Sequence, residues 1–156
     1  MDEEKLLKIT NDPVKVMEII QTIAEAFPTI FEEINHYARD AYSFYHDGHC
    51  TTFARIMYEI FDGHAMIMDS RSHVIIRIGD RHFDITGCID GLVDMDEFRD
   101  CPIEYFPMME ETSGLGRKDD HDEELAQIFI KLGKAKLLEL VSTLETGEMG
   151  TTSKTM

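Results

Sequence analysis

The chain has 156 residues, 43% hydrophobic and 9% aromatic, a length and composition that suit one domain with a proper core. Fifteen lysines and arginines stand against 31 aspartates and glutamates, and the net charge of -16 repels phosphate backbones and anionic membrane surfaces, which disfavours nucleic-acid and membrane partners. Three widely spaced cysteines, Cys50, Cys88 and Cys101, imply no disulfide framework; with an acidic N-terminus and no apolar run near the ~18 residues of a membrane span, a soluble cytoplasmic protein is expected.

Asp12 caps and Pro13 opens a predicted first helix, in which Val14, Met17, Ile20, Ala24 and Phe27 form an apolar stripe that ends before Pro28. A second helix is predicted over about 29–39, with Ile30, Phe31, Ile34 and Tyr37 inward. Residues 40–46 bridge to a third helix that opens at Cys50, repeats Phe53, Ala54, Met57 and Phe61 at helical spacing, and ends on an αL-type cap at Asp62-Gly63. His64 to Met68 reads as a strand that turns at Asp69-Ser70-Arg71 into a second, Ser72 to Ile78. Gly79-Asp80 then closes that strand onto a third, Arg81 to Ile85.

Beyond a loop at Gly87 to Gly91, the sequence suggests a short helix over Asp94 to Arg99 and an edge strand at Ile103 to Phe106 between Pro102 and Pro107. Glu110 to Asp122 reads as a polar surface loop, with a lid or substrate-binding segment as the alternative. A long amphipathic C-terminal helix follows, or a pair broken near Gly133, and residues 146–156 have the composition of a disordered tail. The expected architecture is a single α+β domain over 1–145. It has a helical N-terminal part, a central cysteine-bearing helix packed on an antiparallel sheet, and a C-terminal helix outside.

The chemistry concentrates between Gly48 and Asp84. At a helix N-terminus, unpaired backbone N–H groups and the positive end of the macrodipole favour a thiolate at Cys50, although taken alone this residue better suits a small buried core cysteine. If Gly79-Asp80 is a tight turn, Ile76 faces Phe83 and Ile75 faces Asp84. Alternation then puts His73, Ile75, Arg77, His82 and Asp84 on one face of the ribbon, and Val74, Ile76, Ile78, Phe83 and Ile85 on the other. His73 and Asp84 become diagonal neighbours, roughly 7–8 Å apart at the backbone, a reach that lets the carboxylate orient the imidazole. A thiol, an imidazole and a carboxylate so placed suit nucleophilic catalysis by Cys50.

Gly-x-Cys at a helix start, His73-Val74 on a following strand, and Phe83-Asp84-Ile85-Thr86-Gly87 on the next resemble the core of the papain-like fold, above all its transglutaminase-like and NlpC/P60-like branches. The likeness covers about forty residues and implies Cys50 as nucleophile, His73 as general base and Asp84 as its orienter. It further implies a peptidase- or amidase-like hydrolase, or an acyl transferase, acting without a cofactor on a peptide, amide or acyl group that can belong to a protein. Thr51 stands where the family often has an aromatic residue, and no glutamine lies shortly upstream of Cys50 to complete a papain-type oxyanion hole. The second donor therefore stays open among Tyr42, Tyr45, His46 and Asn35, beside the Cys50 backbone N–H.

Two rival expectations remain. An acidic, non-enzymatic interaction protein or inhibitor on the same fold would use the charge and not the thiol. A His/Cys metal protein would draw on His46, His49, Cys50, His64, His73 and His82. Their spacing matches no zinc motif, so no metal ligands are assigned from sequence.

Overall fold

The computed structural model describes residues 2–46, 48–108 and 121–155, with side chains described up to residue 144. Helix α1 spans Glu3–Thr10 and is capped by the Asp2 carboxylate, which accepts from the Glu4 N–H at 3.0 Å. This helix is absent from the pattern-based expectation because its two turns bury few side chains, Leu6 and Ile9 among them. Helix α2 spans Pro13–Asn35, with Asp12 as its N-cap and Pro13 at its first turn.

The two helices expected on either side of Pro28 are one. A proline inside a helix removes a hydrogen bond and crowds the preceding turn, which costs about 3 kcal/mol. Here Ile23, Phe27 and Phe31 recur every four residues, all are buried, and Phe27 stacks on Phe31 at 5.1 Å. Core burial on both sides of the proline outweighs that local cost. His36, in left-handed conformation, ends α2. The bridge contains a further short helix, α3, over Ala41–His46.

Helix α4, Cys50–Ile60, is the centre of the molecule. Cys50, Phe53, Ala54, Ile56, Met57 and Ile60 are buried, and α4 packs on α3, on the sheet and on the C-terminal helix α5, Asp122–Thr155. Its end follows the sequence expectation: Asp62 and Gly63 both have positive φ, and the Gly63 N–H donates to the Tyr58 carbonyl. Helix α5 is unbroken at Gly133, where it passes close against the Ile60 side chain. Its backbone continues helical through 146–155, the stretch whose composition suggests a disordered tail. The polar loop expected over 110–122 lies outside the described residues up to 120; of its last two residues, His121 forms a turn and Asp122 is buried at the start of α5.

Strands β1 (Met66–Asp69), β2 (Val74–Ile78), β3 (Arg81–Asp84), β4 (Gly87–Cys88) and β5 (Arg99–Cys101) form an antiparallel sheet of order β4-β3-β2-β1-β5. The β2–β3 register pairs Ile76 with Phe83 and Ile78 with Arg81, as a two-residue turn requires. Val74, Ile76, Ile78, Phe83 and Ile85 face the helical core, whereas Ile75 joins Met68 and Ile89 in a small cluster on the opposite side.

One expectation is reversed at the sheet's edge. The short helix over 94–99 is a single 3-10 turn at Met95–Glu97, and Arg99 already belongs to β5. The proposed strand at 103–106 begins instead with a 3-10 turn at Ile103–Tyr105. Short apolar runs beside prolines do not distinguish a strand from a tight helical turn. Among the described residues no helix is long and apolar enough to cross a membrane.

Candidate active site

Cys50 is the first residue of α4, His73 immediately precedes β2, and Asp84 ends β3, so the helix start meets the open end of the hairpin. The carboxylate reaches the imidazole directly: His73 Nε2 lies 3.1 Å from Asp84 Oδ2. Asp84 is held in place by its neighbour's backbone, since Oδ1 accepts the Thr86 N–H at 2.8 Å and also the Thr86 hydroxyl. This Asx-type turn is the local reason that Oδ2 is presented to His73.

The Cys50 side chain lies within hydrogen-bonding reach of the same ring. Burial of the His73 ring opposes its charge, but the Asp84 and Cys50 hydrogen bonds and charges outweigh that opposition and raise its pKa to about 9. Burial likewise pushes the Asp84 carboxyl up, and the His73 and Thr86 hydrogen bonds together bring it below its ordinary value. The three residues named from sequence therefore come together. Cys50 is only 2% exposed, so a substrate carbonyl reaches its sulfur only if neighbouring side chains shift.

The four open candidates for the second oxyanion donor separate. Tyr42 is 51% exposed on α3. Tyr45 is a core residue packed against Phe27, Phe44, Phe53 and Phe129, its hydroxyl buried without a hydrogen-bond partner. Burial raises the Tyr45 pKa well above the usual range, and the nearby Asp122 charge adds to the effect. The buried amide nitrogen of Asn35 likewise lacks a partner. His46 joins the Cys50, His73 and Asp84 cluster from a different side: its Nε2 is 3.9 Å from Asp84 Oδ2, and its ring centre is 4.8 Å from that of His73.

A second acidic centre lies behind Cys50, and it has no precedent in the sequence reading. Asp122 accepts from the Thr52 hydroxyl at 2.9 Å, and its Oδ1 lies 3.3 Å from Nδ1 of His49, the residue that precedes Cys50 and stacks on Phe44. Asp122 Oδ1 and His49 Nδ1 are close but not aligned for a hydrogen bond. The remaining histidines of the metal alternative disperse. His82 pairs with Asp90 at 2.8 Å, and His64 lines a groove with Leu7 and Gly79.

Taken together, these features define an α+β protein with a cysteine, two histidines and an aspartate gathered where the central helix begins. The chain belongs to the phage YunG-like family: the model for phage YunG-like protein matches residues 19–132, a span that includes Cys50, His73, Asp84, His46 and Asp122. No curated protein and no solved structure matches the chain.

Proposed function

We propose that the protein is a cysteine-nucleophile hydrolase of papain-like arrangement, with Cys50, His73 and Asp84 as its triad. The observation that carries this reading is the contiguous relay from Cys50 to His73 to Asp84, with the last link at 3.1 Å and the carboxylate fixed by Thr86. A thiol, an imidazole and a carboxylate in such a relay are the groups that acyl chemistry by a thiol nucleophile uses.

At neutral pH His73 already holds the Cys50 proton as an imidazolium, and the sulfur it leaves behind attacks the carbonyl carbon of an amide, ester or thioester. The carbonyl π pair moves onto oxygen. As the first residue of α4, Cys50 has a backbone N–H with no intrahelical acceptor, and that N–H is the candidate donor to the oxyanion. Collapse expels the amine, alcohol or thiol, which receives its proton from His73. Water then gives a proton to His73 and attacks the thioester, releasing the acid and returning the sulfur beside the protonated His73. An amine in place of water makes the same chemistry an acyl transfer.

Alkylation of the native, chelator-treated protein by iodoacetamide, mapped by mass spectrometry, tests this. Cys50 is expected to react faster than the more exposed Cys88 and faster than Cys101, whose thiol is pushed up by burial and by Asp69. Reaction in order of exposure, with Cys50 behind Cys88, would favour the plain buried-core cysteine.

A further inference from the structure

We propose that His46, His73 and Asp84 form a binding site for a divalent transition metal of the zinc class, and that the ion competes with proton transfer for His73. The competition rests on the triad reading above, but the metal site does not. A triad needs one imidazole on its carboxylate, and here there are two. One donor atom from each of the three residues falls within a common 4.8 Å. Both ring Nε2 atoms approach the same oxygen, Asp84 Oδ2, at 3.1 Å for His73 and 3.9 Å for His46.

Zinc bonds of about 2.0–2.1 Å to nitrogen and oxygen give tetrahedral edges of about 3.3–3.4 Å between ligands. One edge already has that length within a few tenths of an ångström. The other two both involve His46, which must close by about half an ångström on Asp84 and, with the three donor atoms spread over 4.8 Å, by up to about 1.5 Å on His73; its ring, 45% exposed at the end of α3, has room to do so. The two rings are tilted by 45° and not stacked flat.

Two imidazoles and a carboxylate suit zinc and its neighbours, and three protein ligands leave a fourth position open. The carboxylate is already oriented from behind by Thr86, the kind of outer support that fixes a metal ligand. An ion there has a chemical consequence for Cys50. A neutral imidazole that coordinates through Nε2 carries its one proton on Nδ1, and so has no lone pair with which to accept the thiol proton. Metal binding and general-base action by His73 exclude one another.

Titration of the chelator-treated 156-residue chain with Zn2+ by calorimetry, and with Co2+ by visible absorbance, tests the site. One ion per chain is expected, held by wild type and by Cys50→Ser alike. His46→Ala and Asp84→Asn should each weaken it about tenfold or more, and His64→Ala, outside the cluster, should leave it unchanged. Thermal melts of the four variants separate lost ligands from lost folding. No uptake up to about 1 mM, or equal affinity in wild type and His46→Ala, overturns the site. Loss of binding in Cys50→Ser overturns the ligand set. Failure of the alkylation test leaves the metal titration untouched, so the two readings fall separately.

Discussion

Burial of the His73 ring works against its charge, yet Asp84 and Cys50 keep the imidazole protonated up to about pH 9. Asp84→Asn probes that hold with unusual directness, because Thr86 fixes which way the amide points. The Thr86 N–H and hydroxyl require an acceptor at the Oδ1 position, so the amide oxygen stays there and the NH2 group faces His73 Nε2. Nε2 must then accept, which moves the ring proton to Nδ1 and leaves His73 unable to take the thiol proton. In metal-free protein the His73 pKa should fall, and Cys50 alkylation near neutral pH should slow on the order of 100-fold. Asp80→Asn, in the exposed turn, should change neither. Identical imidazole titrations by nitrogen-detected NMR in all three proteins would show that the pair is uncoupled. Cys50, His73 and Asp84 were legible because a helix start and a two-residue turn place them by counting alone. Asp122 was not: it lies 70 residues from Thr52, and no periodicity links the two.

At the scale of elements, the hairpin depends on Gly79. Its φ of +62 suits the first central position of a two-residue turn, and a Cβ there would meet the Thr10 carbonyl oxygen of α1, which is backbone and cannot swing away. Gly79→Ala should therefore cost more than the about 1–2 kcal/mol of a left-handed residue alone. Gly91→Ala has positive φ but open space, and should cost only the conformational part. Equal denaturation midpoints for the two variants would mean that α1 does not press on the turn. Along α4, Phe53→Ala and Met57→Ala remove fully buried side chains and should each cost about 2–5 kcal/mol, whereas Cys50→Ser should cost clearly less. Alternation and helical spacing made this hairpin and this helix readable. Pro28 misled because its local penalty is visible in sequence, while the Phe27–Phe31 packing that overrides it belongs to the tertiary structure. The β5 edge misled for a related reason: Arg99 to Cys101 carries no apolar alternation and becomes a strand by pairing with β1.

For the whole molecule, the perturbed groups act on stability in opposite pH ranges. Asp84 and Asp90 are lowered in the fold: burial raises each, and the hydrogen bonds of His73 and Thr86 to Asp84, and of His82 to Asp90, overcome it. Their contribution is present above the ordinary carboxyl value and is lost as pH falls through their folded values. His73 is raised from 6.5 to about 9, so its contribution is complete below pH 6.5 and is lost as pH climbs through about 9. At roughly 1.4 kcal/mol per pH unit its ceiling is about 3 kcal/mol, reduced because the ring is partly open to solvent. Self-repulsion from the net charge of -16 also weakens the fold as pH rises, so the two effects share a sign. Salt separates them, because exposed charges are screened at about 0.5 M while a largely buried pair is screened much less. Chelator-treated protein should lose melting temperature between about pH 7 and 9, in part even at high salt, and His73→Gln should abolish that salt-resistant part. If salt alone removes the alkaline loss in wild type, or His73→Gln retains it, then the Asp84–His73–Cys50 relay contributes nothing to the fold, and the His73 pKa is not raised to about 9.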